Sequence, residues 1–416
     1  MKVLVIGAGG REHALVWKIA QSPRIRELYC APGNPGMASL AKLVPIAVDE
    51  VEKLLAFAKE KRIDLTVVGP ELPLSLGIVD RFESEGLRIF GPRRAAAEIE
   101  TSKVVSKMLM QKYQIPTAAA EVVTLEEAYR RISSLKMPIV LKVEGLAAGK
   151  GVVIAQDQKE AKEGLDAFRE MGEAARRIIL EEYLEGVEAT FFVITDGATA
   201  LPLASAQDHK RVFDGDRGPN TGGMGAISPT PRVTPEIESA VMERIIHPTL
   251  RGLAAEGRPY RGVLYAGLML TSSGPHVLEF NARWGDPETQ AVLPRLKSDW
   301  VDVMEAALDH RLDRMQLEWR EASSVCVVLA SEGYPGPYQK GEVISGLDRT
   351  DLPDTLVFHA GTGRRGDEWV TQGGRVLGVT ALGQTVADAR QRAYQTVDRI
   401  SFRGMHYRRD IGASAV

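Results

Sequence analysis

The sequence predicts a multidomain chain of mixed α/β and α+β class, and three observations carry that expectation. Strand and helix patterns alternate through the N-terminal part. In the middle, two β-rich runs meet at a glycine-rich tip in "PIVLKVEGLAAGKGVVIAQ". From Ser323 onward, strands broken by Gly/Pro turns lead into one amphipathic helix. At 416 residues the chain exceeds one ordinary core, so several domains are expected.

Element by element, "KVLVIGA" is an apolar run ending in glycine, and "IRELYCAPG" is a second strand. "DEVEKLLAFAKEKR" sets Val51, Leu54, Leu55 and Ala58 on one helical face. "IDLTVVGP" and "LRIFGP" are strands stopped by Gly-Pro. This repetition predicts a Rossmann-like parallel sheet over residues 1–100, with ligands beyond the carboxyl ends of its strands. "GPRRAAAEIETSKVVSKMLMQKYQIP" reads as one or two helices. In "TLEEAYRRISSLK", Thr124 and Glu127 form a capping-box pair. Further strands run to residue 322, and the C-terminal unit closes on the helix "TVADARQRAYQTVDRI". The expected boundaries are 1–100, 101–322 with a lid at about 121–190, and 323–416.

Composition excludes several classes. Apolar residues make up 44% and charged residues 26%, an ordinary soluble balance. A net charge of −3 disfavours a nucleic-acid surface. The opening "KVLVIGAGG" is too short to span a membrane and lacks a signal-peptide layout. Cys30 and Cys326 stand far apart in apolar runs, as suits reduced thiols in a cytoplasm, and none of the seven histidines has zinc-site spacing. No obligatory protein partner is expected.

"EGLAAGKGVV" invites a phosphate-loop reading and fails it. The Walker pattern needs four residues between Gly145 and the Gly-Lys pair, followed by Ser or Thr. Here three intervene, and Gly151 occupies the hydroxyl position. A P-loop also joins a strand to a helix. This tip joins two strands, so Gly149, Lys150 and Gly151 read as a hairpin nest that folds over phosphates, with a plain hairpin turn as the alternative. Lys142, among apolar neighbours, needs a partner: a nucleotide phosphate or a structural Glu. At "EEYLEGVE", the backbone of Glu181, Glu182, Tyr183 and Leu184 suits an adenine edge and Glu188 suits ribose hydroxyls, against an ordinary acidic strand end.

"HVLEFNARWGDPETQ" is the most informative segment. Alternate strand residues share a face, so Glu279 and Asn281 point together, which suits a hard cation that bridges phosphates. Arg283 extends that face if the strand persists, offering a fork for a carboxylate or phosphoryl group. "QDHKRVFDGDRGPNTGGMGAISP" ends a strand at Asp208, His209, Lys210 and Arg211, followed by a polar, glycine-dense loop. "GAGGREH" lacks the third glycine of a dinucleotide fingerprint, because Glu12 stands there.

Together, "VLVIGAGGREHAL", "GLAAGKGV", "QDHKR", "GPNTGGMGA", "LYAGLM", "EFNARWGDPETQ" and the terminal "RRDIG" resemble, in order and over the whole chain, the phosphoribosylamine–glycine ligases of the ATP-grasp superfamily. The resemblance implies a central ATP-grasp fold and the ligation of glycine to 5-phosphoribosylamine with ATP and Mg2+ or Mn2+, in purine biosynthesis. It places Lys103, Lys142, Gly149–Gly151, Lys210, Arg211 and Asn220 at the ATP phosphates, Glu181–Leu184 at adenine, Glu188 at ribose, and Glu279 and Asn281 at the metal. Arg283 would neutralise the glycine carboxylate and acyl phosphate, and Asp208 would hold the glycine ammonium. Gly9, Gly10, Arg11, Asn34, Pro35, Gly36, Glu71, Gly222, Gly223 and Met224 would receive substrate. Trp284 departs from the usual Phe, Glu144 from the usual Asp or small residue, and "FREMGEAARRI" looks shortened. Three other readings are another grasp-fold ligase, an NAD-dependent oxidoreductase and a non-catalytic nucleotide binder.

Overall fold

A computed structural model describes residues 1–145 and 151–415. The N-terminal sheet is parallel, with strands ordered Lys42–Leu43, Glu27–Pro32, Lys2–Gly7, Leu65–Val68 and Ile89–Phe90. Strand Lys2–Gly7 is buried on both faces. Leu4 and Ile6 enter one core, while Val3 and Val5 enter another. Both cores continue into the central antiparallel sheet, where Phe191 and Val193 join the first and Phe192 and Ile194 the second. The two units are therefore joined through shared apolar interior, which explains the unbroken apolar runs in their strands.

The central sheet has the order Ala200–Pro202, Val187–Thr195, Gly262–Thr271, Gly274–Asn281. A separate four-stranded antiparallel sheet (Ala120–Thr124, Arg177–Glu182, Ile139–Val143, Val152–Ala155) corresponds to the expected lid segment. This lid has a core of its own, built around Leu141, Leu165, Phe168 and Ile178. Strands Ile139–Val143 and Val152–Ala155 pair antiparallel, so the glycine-rich segment does connect strand to strand. The helix at Thr124 has the expected capping box, with Thr124 Oγ1 accepting from Glu127 N (3.2 Å). "GPRRAAAEIETSKVVSKMLMQK" forms two helices, Arg94–Thr101 and Lys103–Lys112, separated by Ser102, whose hydroxyl caps the second.

The third large sheet crosses the expected boundary at 322. Strands Gln207–Asp208 and Gly225–Ser228 add to Ser323–Ser331, Arg375–Gly383 and Thr355–His359. Helix Val386–Val397 covers it through Ala389, Ala393 and Val397. No helix of the described residues is long and apolar enough to cross a membrane.

Candidate active site

Strand Gly274–Asn281 departs from strict alternation. Its ladder with Gly262–Thr271 shifts register at Leu278, between the pairs Leu268–Val277 and Gly267–Glu279. Val277 and Phe280 both enter the core as a result, and the bulged Leu278 turns its carbonyl to accept from Lys142 Nζ (3.1 Å). Bulges of this kind re-aim groups beside sites. Glu279 and Asn281 follow it, each half-buried. The strand stops at Asn281, so Arg283 does not extend its face as expected but sits in the following turn.

Cations converge on Glu279. Lys210 Nζ lies 4.0 Å from its Oε1 and 3.1 Å from Glu188 Oε2. Burial opposes the Glu279 charge, but Lys210, Lys142, Lys103 and Arg283 together hold the carboxyl below its ordinary range. Burial likewise opposes the Lys210 charge, and Glu188 and Glu279 outweigh it, keeping the ammonium charged well beyond its usual range. For Lys103 burial wins, aided by Lys142, and its pKa falls. Its Nζ donates to Gly145 O (2.9 Å).

Lys142 has the structural partner left open by the sequence. Buried Glu181 forms ion pairs with both Lys142 and Lys107, the latter at 2.7 Å. Lys107 also donates to Thr117 Oγ1 (2.7 Å). The Glu181 side chain is thus engaged with lysines, and its backbone lies in the ladder between strands Ala120–Thr124 and Ile139–Val143. Glu182 is exposed, Tyr183 and Leu184 are half-buried, and this segment links the lid to the central sheet, ending near exposed Glu188. Gly149 and Lys150 lie outside the described residues. Gly151 is buried, and its carbonyl accepts from Val143 N (2.9 Å).

The segment after Asp208 is a short hairpin rather than a loop. Arg211–Phe213 pairs with Arg217–Asn220, which sets Arg211 opposite Asn220. Arg211 Nη1 donates to Gly218 O (2.7 Å). Behind it, Asp208 Oδ1 is buried without a hydrogen-bond partner among the described residues. Burial first, then the nearby charge of Glu288, push the Asp208 carboxyl well above its ordinary range. Burial also raises Glu288, whose Oε1 accepts from Thr190 Oγ1 (3.3 Å). Asp208, Lys210, Glu188, Thr190 and Tyr265 line one small enclosed cavity.

Arg283 is held by two carboxylates, Glu71 (3.2 Å from Nε) and Glu100 (2.7 Å from Nη2), and Nη1 donates to Trp284 O (3.2 Å). Of its five N–H donors, these contacts use three among the described residues. Burial opposes the Arg283 charge, and Glu100 and Glu71 more than restore it. Arg11 reaches the same Trp284 carbonyl (3.2 Å), so the N-terminal loop adjoins this cluster. Its helix N-terminus is already filled: Glu12 Oε2 accepts from Gly9 N (2.7 Å), and Glu12 Oε1 pairs with Arg11 (2.5 Å). Side-chain atoms added at Gly7 or Gly69 would collide with that carboxylate. A dinucleotide pyrophosphate has neither space nor favourable charge there.

Asn34, Pro35 and Gly36 are engaged by the C-terminal unit. Asn34 Nδ2 donates to Ala8 O (2.7 Å) and His359 O (2.9 Å), and a Cβ at Gly36 would meet the His359 ring at 2.2 Å. Gly222 and Gly223 lie between Asp208 and the C-terminal unit, whereas the side chain of Met224 packs in a small core with Val212 and Ala330. Sequence reasoning missed Glu100, Lys107, Glu288 and Arg375. Lys107, one helical turn after Lys103, had a signal. Glu100 and Arg375 had none, because their partners are distant in sequence.

Glu279 and Asn281 supply hard oxygens one strand repeat apart, with Glu279 held ionised, and so fit a divalent cation completed by nucleotide phosphates. Among the described residues no trio of His, Cys, Asp or Glu forms a metal set by itself.

A separate antiparallel sheet whose strands carry Lys142 and Glu181, beside a central sheet bearing Glu279 and Asn281, is the arrangement of an ATP-grasp enzyme. The fold is shared with the biotin carboxylase domain of Hydrogenobacter thermophilus 2-oxoglutarate carboxylase, solved with MgADP (TM-score 0.74, 19% identity, 98% of this chain and 91% of that one). Three family models match in order: the phosphoribosylglycinamide synthetase N domain over residues 1–100, its ATP-grasp (A) domain over 101–289 and its C domain over 324–414. The chain belongs to the phosphoribosylglycinamide synthetase family. It is 52% identical over 423 residues to the phosphoribosylamine–glycine ligase of Vibrio vulnificus strain YJ016, covering 100% of this chain and 99% of that protein. It is 50% identical over 417 residues to that of Caldanaerobacter subterraneus, covering 99% and 100%. The crystal structure of the Thermotoga maritima phosphoribosylamine–glycine ligase superposes with TM-score 0.86 at 35% identity, over 99% of this chain and 100% of that one. This membership makes the chain a ligase of the ATP-grasp class.

Proposed function

We infer that this chain joins glycine to 5-phosphoribosylamine at the expense of ATP, giving glycinamide ribonucleotide, ADP and phosphate, in purine biosynthesis. The observation that carries the reading is the convergence of Lys103, Lys142, Lys210 and Arg283 on Glu279, with Asp208 behind them.

A carboxylate is a poor acyl donor. One glycine carboxylate oxygen attacks the γ-phosphorus of ATP, and ADP leaves with the bridging oxygen. The amine nitrogen then attacks the acyl carbon, phosphate departs with its bond electrons, and the nitrogen loses a proton to water. Positioning and charge neutralisation are what a protein adds to such transfers. In our reading Lys103, Lys142, Lys210, Arg211 and Asn220 hold the ATP phosphates, with the Gly149–Gly151 tip closing over them. Backbone beyond the strand end, at Glu182–Leu184, meets adenine, with Glu181 behind it holding the lysines, and Glu188 meets ribose. Glu279 and Asn281 hold Mg2+ or Mn2+, which neutralises phosphate charge when bound. The guanidinium of Arg283 faces the acyl phosphate, and Asp208 takes the glycine ammonium. Gly9–Arg11, Glu71, Gly222 and Gly223 border the amine substrate, with Met224 anchoring the glycine turn in its core and Asn34–Gly36 supporting the N-terminal loop. The small-molecule substrates are ATP, glycine and the amine, and the setting is the cytoplasm, which suits two buried free thiols.

The test is ADP release with ATP, magnesium, glycine and freshly made phosphoribosylamine. Turnover that needs both glycine and the amine is expected. ADP release without the amine, or with another carboxylic acid in place of glycine, defeats the assignment.

A further inference from the structure

Arg375 begins the strand Arg375–Gly383 of the C-terminal unit. Its guanidinium leaves that unit and enters the gap between two loops of the central region. Nη1 donates to Gly222 O (2.6 Å) and Asp286 O (2.7 Å), with Gly223 O at 3.4 Å, and Nη2 lies 3.2 Å from Asp286 Oδ2. Tyr334, also from the C-terminal unit, accepts from Gly222 N through its hydroxyl (2.9 Å). One planar fork therefore ties the glycine-rich turn after the hairpin to the Gly285–Pro287 turn, a geometry lysine does not reproduce.

Beyond the turn lies Asp208. A Cβ at Gly222 would meet Arg375 Cζ at 3.1 Å, and one at Gly223 would meet Asp208 Oδ1 at 2.7 Å and Pro287 Cδ at 2.3 Å. Gly223 also adopts φ +110°, which side-chain-bearing residues rarely do. The glycine pair is thus a thin spacer, with Arg375 on one face and Asp208 on the other. Among the described residues, Asp208 Oδ1 is buried with no hydrogen-bond partner of its own. Packing through the spacer is what restrains that oxygen on this side.

We propose that Arg375 is a positioning residue for the amino-acid substrate. It acts through Gly222–Gly223 to fix Asp208 where the substrate ammonium is received, so the C-terminal unit completes a site whose other groups come from the central region. This rests on the assignment of Asp208 above.

The test is steady-state kinetics of the full-length protein with Arg375→Met and Arg375→Lys, each substrate varied in turn. Arg375→Met is expected to raise KM for glycine about tenfold or more, the equivalent of one lost charge-assisted bond. KM for ATP should stay within about twofold, because the lysines at Glu279 are untouched. Added guanidinium ion should recover part of the loss, and Arg375→Lys should fall between. Parallel rises in both KM values, an unchanged KM for glycine, or no rescue by guanidinium would overturn the proposal. If Arg375→Met fails to fold, the Arg375→Lys split between the two KM values decides alone. Absence of glycine-dependent turnover in the unsubstituted protein sinks the functional reading instead, so the two failures are distinguishable.

Discussion

Glu279 sits at the focus of four cations, which hold its carboxyl below the ordinary range against its partial burial. Its substitution by glutamine keeps shape and removes charge. Glu279→Gln should lower metal-dependent turnover by about tenfold or more, with an unchanged far-UV circular dichroism spectrum; near wild-type activity would remove Glu279 from the metal site. Glu181 works differently. It neutralises Lys107 and Lys142 together inside the protein. Glu181→Gln leaves two buried ammonium groups short of a counter-charge, and should cost about 3 kcal/mol in urea unfolding. A loss under about 0.5 kcal/mol, the range of ordinary surface changes, would show that the lysines find water instead. The sequence marked Lys142 as needing a partner but offered two. Choosing required knowing that strands Ile139–Val143 and Arg177–Glu182 are neighbours, a long-range fact with no local signature.

Local chemistry was legible at the level of elements. Thr124 and Glu127 met as a capping box, and the β-branched Val152, Val153 and Ile154 formed the second strand of the tip hairpin. Both features are decided within a few residues. Where one residue upsets a period, pattern reading failed. The bulge at Leu278 shifted the core partner of Phe280 to Val277, and the strand ended two residues short of Arg283. Polar composition also hid the Arg211–Asn220 hairpin, which the C-terminal unit holds from outside. Arg408 donates to Arg211 O (3.1 Å) and pairs with Asp216 (2.7 Å), and His406 Nε2 meets Val212 O (2.8 Å). Gly223→Ala tests the turn that follows. Its methyl group has no space and its φ disfavours it, so kcat/KM for glycine should fall by about tenfold or more. Unchanged kinetics would mean that the turn relaxes freely.

For the whole molecule, the parallel sheet, the strand-to-strand tip and the C-terminal strands with their closing helix followed from patterning, but the contacts between units did not. The clearest is a histidine pair. His13, in the helix Gly10–Ala20, accepts from His359 N through Nδ1 (2.8 Å), and His359 Nδ1 meets Thr362 Oγ1 (3.0 Å). Burial lowers His13 to about 4, against its hydrogen bond to His359. Burial lowers His359 to about 3, helped by His13 and Arg364. Both folded-state values lie below the unfolded value, so the unfolded chain binds more protons between them. Stability is then full above pH 6.5 and declines as pH falls towards 4, by up to about 1.4 kcal/mol per pH unit for each histidine. Urea titrations across that range on the protein and on His13→Asn should differ in slope; equal slopes would exonerate His13. The sheet that crosses residue 322 has a consequence for anyone cutting the gene. Removing residues 323–416 would strip Gly225–Ser228 of its neighbour Ser323–Ser331 and leave an unpaired edge open to association with other chains. Family boundaries drawn along the sequence are therefore not seams in the molecule: the two fragments should be soluble when co-expressed and sticky when made apart.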